Sequence, residues 1–355
     1  MIEGSIGIGI LVAGVTGTVM TVNQLKGDEK RVLTLGETGS DCKVVLVRPN
    51  VIVDPEWEQI TAAIRQEAPN DRRPDIFPFF PGSRSEKKER KRRDQEIVSS
   101  EDELDTNEKI FLLVASSLND KDSLPGYVYR RLSEEVKSRA KKRKEDSKAV
   151  HDPRAVRQDV HGIIKYITAT LLEVRPGFGS SPSLTEISAT SVETLVFGEV
   201  YNMVFEEIVS ETHELDLNLR NKFSQVQKEA VHKGIDTEKL ISEDAVQSIR
   251  LLSTYHSVSE KLRCCVHLLE SVSKLGSECN MGADNLLKLV CQHLVKANVS
   301  HLNAECVFLE EFASDEQLIQ GKEGYALVTM QASLHFLNSA SNETLLDDVF
   351  GEDLI

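Results

Sequence analysis

The sequence predicts a mainly α-helical protein: a layered helical bundle, preceded by a small β-rich N-terminal element and a disordered, charged linker. Three observations carry this expectation. From about residue 108 onward apolar residues recur at three- and four-residue spacing, the period of a helix with one buried face. Before residue 69 the apolar residues are largely β-branched and fall in short alternating runs, the period of strands. Between the two, prolines and blocks of opposite charge dominate, and such a composition cannot bury a core. With 355 residues, 40% hydrophobic and 28% charged, the chain has material for one or two cores.

The N-terminal element spans residues 1–68. No charge stands between Glu3 and Lys26, a length that could cross a bilayer, so a membrane segment competes with a strand here. Gly4, Gly7, Gly9, Gly14 and Gly17, with the alternation Ile6, Ile8, Ile10, Val12, favour the strand. A basic n-region ahead of the apolar run is absent, which argues against a signal peptide. Short β-type runs follow at 31–35, 43–47 and 51–53, then a helical stretch over 57–66. Pro69, Pro74, Pro78 and Pro81 open the linker, 69–107. It continues through a basic run from Arg84 to Arg93 and an acidic one from Glu101 to Asp105. The basic run has the composition of a nuclear-import or anionic-lipid patch, and Phe77, Phe79 and Phe80 that of a docking peptide; a solvated linker is the plainer reading of both.

Residues 108–189 read as a helical bracing region. Its clearest stripe is Val156, Val160, Ile163, Ile164, Ile167, Leu171 and Leu172, closed by Pro176 and the Gly/Ser/Pro cluster that follows. Residues 190–340 form the main helical domain. Its stripes run from Val192 to Ile208, from Leu262 to Val272, from Leu286 to Val295 and over 325–337, and an acidic tail occupies 341–355.

Composition excludes several functions. The net charge is −15, and because the first 150 residues are balanced the excess falls on the helical part, which would repel a phosphate backbone. Aromatic residues make up 5%, too few for base-stacking platforms, so nucleic acid is not an expected partner. The six cysteines show no C-x-x-C pair; five sit at helical apolar positions and behave as small hydrophobes in a reducing, cytoplasmic setting. The run G-E-T-G-S-D-C-K at Gly36 has the wrong spacing for a phosphate cradle, and neither a G-x-S-x-G elbow nor an H-E-x-x-H helix occurs. His267 and His293 read as satisfied helix residues rather than ligands. Neither covalent chemistry, nor a cofactor, nor a metal site is expected.

What stands out is the run from Asn280 to Leu337: M-G-A-D-N-L-L-K-L-V, then L-V-K-A-N, then N-A-E-C-V-F-L-E-E-F, then G-K-E-G-Y-A-L-V-T-M-Q-A-S-L-H-F-L. Together with S-E-K-L-R-C-C-V-H-L-L at Ser259 and V-E-T-L-V-F-G-E-V-Y-N-M-V-F at Val192, it resembles the vacuolar-protein-sorting-nine (Vps-nine) domain of Rab guanine nucleotide exchange factors, over residues 190–340. The resemblance implies an all-α domain that promotes GDP release from a small GTPase of the Rab-five class, on a protein peripherally associated with endosomal membranes. Asp284 matches the family's acidic finger and Tyr325 its switch-contacting tyrosine. Lys288, Val328 and Thr329 fall on the implied GTPase-binding face.

The implied chemistry is coherent. GDP is held largely through magnesium, which demands near-ideal octahedral oxygen ligation, and through a P-loop lysine. A carboxylate inserted beside them displaces the metal and pairs with the lysine, and by linkage a partner that prefers the empty GTPase weakens nucleotide binding equally. Asp284 also reads as an N-cap before Asn285-Leu-Leu, and Tyr325 as a residue sealing the start of the last helix. The chain departs from the family pattern at Lys288, where proline is frequent, and at Val328, where threonine is usual, with Thr329 one position late. The alternative is therefore a Vps-nine-like scaffold that binds a Rab or another trafficking partner without exchange.

Overall fold

The structure, a computed structural model, describes residues 31–34, 43–46, 54–68, 106–145, 154–235, 240–275, 283–314, 317–318 and 321–350. It is mainly helical and falls into two compact units, Val53–Glu207 and Ile208–Ile355, the latter grouped with Met1–Ile52.

Of the expected β-rich element, only β1 (Arg31–Thr34) and β2 (Lys43–Leu46) are described, paired antiparallel with Arg31 opposite Leu46. Two four-residue strands cannot make a stable sheet by themselves, so a β-rich element is not supported. The strand or membrane reading of 4–25 lies outside the described residues, as does the linker from 69 to 105. No helix among the described residues is long and apolar enough to cross a membrane.

The unit 53–207 contains α1 (Glu56–Glu67), α2 (Thr106–Asn119), α3 (Leu124–Glu145), α4 (Ala155–Val174), a 3-10 turn at Pro176–Gly179, and the first half of α5 (Pro182–Lys233). The helix expected over 57–66 is α1, and it packs against α3 and α4 in this unit. The stripe predicted for α4 is its buried face: Val160, Ile163, Ile167 and Leu171 are completely buried. α3 packs against α4 and buries Val128, Leu132 and Val136; on α5 the row Val192, Val196, Val200 and Val204 is buried as well, and Tyr129 of α3 donates its hydroxyl to the Leu195 carbonyl at 3.1 Å. Glu207 of α5 accepts the backbone N–H groups of Val156 (3.5 Å) and Arg157 (3.3 Å), so a carboxylate from another helix satisfies donors at the start of α4.

The other unit holds the second half of α5 with α6 (Glu243–Leu251), α7 (Val258–Leu275), α8 (Ala283–Ala297), α9 (Leu302–Phe312) and α10 (Lys322–Ser339). A last turn, Asn342–Thr344, runs into a π-helical turn at Leu345–Val349. α8 is the central helix. Every residue from Leu289 to Val295 is buried, against α6, α7, α10 and the π-helical turn. It ends at Asn298, whose φ of 49° is left-handed and whose N–H returns to the Leu294 carbonyl, a conformation asparagine tolerates better than most residues. The segment expected as an acidic tail is folded over its first ten residues: Leu345, Leu346 and Val349 are completely buried, and Gln292 Nε2 donates to the Val349 carbonyl at 2.5 Å. Cys264, Cys265, Cys291 and Cys306 are free and buried, and burial pushes the Cys264 thiol up to about 11 and that of Cys291 to about 12, so they stay protonated and inert.

α5 supplies the ends of two other helices. Asp216, buried, accepts from the Asn303 backbone N–H at 2.8 Å, from Asn303 Nδ2 at 2.9 Å, from Thr212 Oγ1 at 3.0 Å and from the Ala304 N–H at 3.4 Å, and thereby caps the N-terminus of α9. Six residues on, Lys222 Nζ donates to the carbonyls of Leu337 (2.9 Å), Asn338 (2.8 Å) and Ala340 (2.8 Å) at the C-terminus of α10. Each charge has the sign the local helix dipole favours. Asp216→Ala is expected to destabilise this unit by about 1.5–3 kcal/mol, because buried donors on α9 lose a charged acceptor, and Asp216→Asn by less. Urea denaturation of the two variants checks this.

Candidate functional site

The five residues singled out by sequence lie on the first two turns of α8 and α10. These helices pack together through Cys291 Sγ and the Ser333 carbonyl, 3.7 Å apart. Their C-terminal ends gather on one stretch of α5: the Val295 carbonyl accepts from Gln227 Nε2, the Leu337 and Asn338 carbonyls from Lys222, and Gln225 binds Asn342 just beyond α10. α8 and α10 therefore point the same way. Asp284 precedes Cys291 by about two turns and Tyr325 precedes Ser333 by about two turns, roughly 10 Å at 1.5 Å per residue, so the two stand level at the same end of the pair.

Asp284 is exposed and makes no hydrogen bond or ion pair with any described residue. It is the second residue of α8 and lies in its first turn, so it serves the helix through the dipole and not as the cap the sequence suggested. Tyr325 is 45% exposed, so its ring does not seal the start of α10 into the core. Lys288 is half-buried one turn beyond Asp284; Leu286 and Leu287 are half-buried beside it. Val328 is half-buried, and the Thr329 hydroxyl is engaged by its own helix, donating to the Tyr325 carbonyl at 2.8 Å. A carboxylate at the positive end of a helix, rimmed by partly exposed leucines, a valine and a tyrosine, is a surface suited to docking a protein that offers a cation.

Sequence reasoning missed the residues that set this geometry. Gly321 begins α10 with a φ of +125°, a region open to glycine and strained for other residues. At Gly324 a Cβ would stand 2.0 Å from the Leu318 carbonyl oxygen, so the helix start can lie against that backbone only without a side chain. The spacing G-K-E-G directly before Tyr325 was the available signal. Lys322 pairs with Glu270 of α7 at 2.5 Å, and Cys265 of α7 meets Met330 at 3.7 Å, which holds α7 antiparallel to α10.

Beneath these helices α7 and α9 are joined by a buried ion pair. Lys261 Nζ lies 2.5 Å from Glu305 Oε2, donates also to the Leu252 carbonyl at 2.6 Å, and sits 5.5 Å from the Phe308 ring centre. Both side chains are almost wholly buried. Burial drives the pair toward neutrality: it pushes the Glu305 carboxyl up to about 7 and the Lys261 amine down. His293, also fully buried, has Nδ1 2.6 Å from the Leu289 carbonyl and accepts the Ser242 N–H on Nε2 at 2.9 Å, which fixes the Nδ1–H tautomer. Burial lowers its pKa, in keeping with a neutral connector between α8 and the cap of α6. Among the described residues there is no group of three or more His, Cys, Asp or Glu able to hold a metal ion.

Residues 242–342 match the family model of the Vacuolar sorting protein 9 (VPS9) domain. The match begins after α5, later than the 190 read from sequence. The chain is 22% identical over 200 residues to Receptor-mediated endocytosis protein 6 of Caenorhabditis briggsae, covering 53% of this chain and 18% of that protein. It is 24% identical over 194 residues to Vacuolar protein sorting-associated protein 9A of Oryza sativa subsp. japonica, covering 50% of this chain and 38% of that protein. The chain thus spans well under half the length of either relative.

Two stability measurements probe the supports of the site. Lys261→Met should cost about 3–5 kcal/mol by leaving Glu305 buried and unpaired, and adding Glu305→Leu should recover most of the loss. Gly324→Ala, a change that stabilises an ordinary helix interior, should here destabilise by about 1–3 kcal/mol through overpacking against Leu318; a gain in melting temperature would contradict the contact.

Proposed function

We propose, from the match of residues 242–342 to the VPS9 domain model, that the protein is a guanine nucleotide exchange factor for a Rab small GTPase of the Rab-five class, acting peripherally on endosomal membranes. The observation that carries this reading is the placement of an exposed, unengaged Asp284 level with an exposed Tyr325, on two parallel helices inside the matched region. The rigid, buried C-terminal half of α8 is the mount and its first turn is the tip. Asp284 enters the nucleotide site, where its carboxylate competes for the magnesium ion and the P-loop lysine, and GDP loses its main counter-charges. Tyr325, with Leu286, Leu287 and Val328 about it, supplies the apolar contact that holds the switch region in place. No covalent bond is made or broken, and the only energy used is that of the complex with the empty GTPase.

A non-catalytic scaffold is the second reading, favoured by Lys288 and Val328. Lys288 stands four residues after Asp284, within reach of an i,i+4 ion pair that would occupy the carboxylate, and Val328 lacks a hydroxyl to donate to a partner. The two readings share the docking surface and differ in what it does to the bound nucleotide.

Release of fluorescent GDP from a panel of Rab proteins decides between them. In the exchange-factor reading the chain accelerates release and Asp284→Ala abolishes the acceleration, with a stability change of no more than about 1 kcal/mol, since only a dipole interaction in the first turn is lost. Val328→Thr should then speed release by a factor of about 2 to 13, the value of a regained hydrogen bond of about 0.5–1.5 kcal/mol. Rab binding without acceleration, by wild type and Val328→Thr alike, would establish the scaffold. Acceleration that persists without Asp284 would refute the acidic-finger role.

A further inference from the structure

Three ionisable side chains almost without solvent exposure meet where α5, α7 and α9 join: Asp216 (4%), Lys261 (0%) and Glu305 (0%). Two acids and one base leave the group one negative charge in excess, and a charge withdrawn from water must be matched or neutralised. The oxygens of Asp216 are taken by the Asn303 and Ala304 N–H groups, Asn303 Nδ2 and the Thr212 hydroxyl. Glu305 accepts from Lys261 on Oε2, and its Oε1 has no hydrogen-bond partner among the described residues. A proton on Oε1 removes the excess charge without breaking a contact.

The charges acting on Glu305 are those of Lys261 and Asp216. α7 also brings Cys264 and Cys265, and α9 itself Cys306, thiols that burial raises far enough to stay protonated. α10 meets α9 through Asn338, on Asn303, and Gln331, on Glu310, and neither side chain of α10 titrates. His301 stands one turn before Glu305 at the start of α9. Burial raises the Glu305 carboxyl to about 7 against the opposing pull of Lys261. Lys261 keeps the Leu252 carbonyl at 2.6 Å and the Phe308 ring at 5.5 Å as further partners, so its ammonium is held whichever state Glu305 adopts.

From this cluster we infer that the junction of α5, α7 and α9 is a proton-sensitive joint, in which Glu305 takes up the proton and Lys261 holds the contact in both states. Protonated, the three side chains carry no net charge and the joint is tight. Ionised, it encloses an unmatched carboxylate oxygen and is strained. By linkage, a carboxyl near 7 in the folded chain against an ordinary 4.5 contributes stability that is complete below 4.5 and lost as pH rises through 7. The lowered Lys261 amine acts in the opposite sense, its penalty lifting as pH rises toward the ordinary lysine range. α7 is tied to α10 by Cys265 on Met330 and by Glu270 on Lys322, so strain in the joint bears on the helix that carries Tyr325. None of this rests on the exchange-factor reading.

Infrared titration of the full wild-type chain reads the proton directly, in the carbonyl stretch of a protonated carboxyl, where histidines do not absorb. One such band should be present at about pH 6 and vanish with a midpoint near 7, above the range of exposed acids. It should be missing from Glu305→Gln and from the double variant Lys261→Met with Glu305→Leu, which fills the site with apolar groups and is expected to fold. Protection of α7 and α9 amides against deuterium exchange, corrected for the intrinsic rate, should fall about tenfold from about pH 6 to about pH 8 in wild type and by less in either variant. Absence of a titrating band, a midpoint below about 5, a band that the variants retain, or an equal loss of protection in wild type and variants would each overturn the proposal.

Discussion

The arrangement of the unit 208–355 depends on two charges of α5 meeting the ends of two other helices. α9 and α10 run antiparallel, as the pairs Asn303 with Asn338 and Glu310 with Gln331 require, so the amide end of one and the carbonyl end of the other arrive at the same place. Asp216 and Lys222 stand there with opposite signs. Exchanging either sign would set a charge, buried at Asp216 and half-buried at Lys222, against the wrong end of a dipole, so the pair specifies the direction of both helices as well as their position. Once α10 is fixed at its C-terminus and α8 is laid beside it, Asp284 and Tyr325 come to the same level without any direct bond between them.

The Lys261–Glu305 pair plays a different part. Two charged groups removed from water recover the cost only when their geometry and remaining hydrogen bonds are good, and Glu305 Oε1 has no hydrogen-bond partner among the described residues. An apolar pair of similar volume would hold α7 to α9 at least as strongly. What the ion pair adds is register, because Lys261 must reach both Glu305 and the Leu252 carbonyl and only one sliding position of α7 allows it.

Much of this was legible in the sequence, and the failures share a cause. α4 is plain in its stripe from Val156 to Leu172 because its inward residues are apolar. α5 beyond Ile208 is not, because its inward row reads Thr212, Asp216, Leu219, Phe223, Val226 and Ala230, two of its six members polar. Leu215 and Leu217, which a hydrophobicity pattern would place inside, are 52% and 41% exposed. The Leu345–Phe350 turn was hidden in the same way, its buried residues interrupted by acids. The motif around Asp284 identified the ends of α8 and α10, but that the two helices are parallel and level is a property of contacts far apart in the chain. Cap, seal and exposure are settled by one or two residues of helix boundary, which sequence spacing does not resolve.

In α8 the buried and exposed parts are divided along the axis instead of around it. Residues 289–295 are all buried, while 285–288 are half-buried and Asp284 is exposed. An amphipathic helix shares each turn between core and surface, so a change that suits a partner commonly disturbs packing next to it. Here the two demands fall on different residues of one rod. Toward the tip, and at Asp284 above all, a side chain can be rewritten during descent for the surface it must meet at less cost to the fold than anywhere in 289–295.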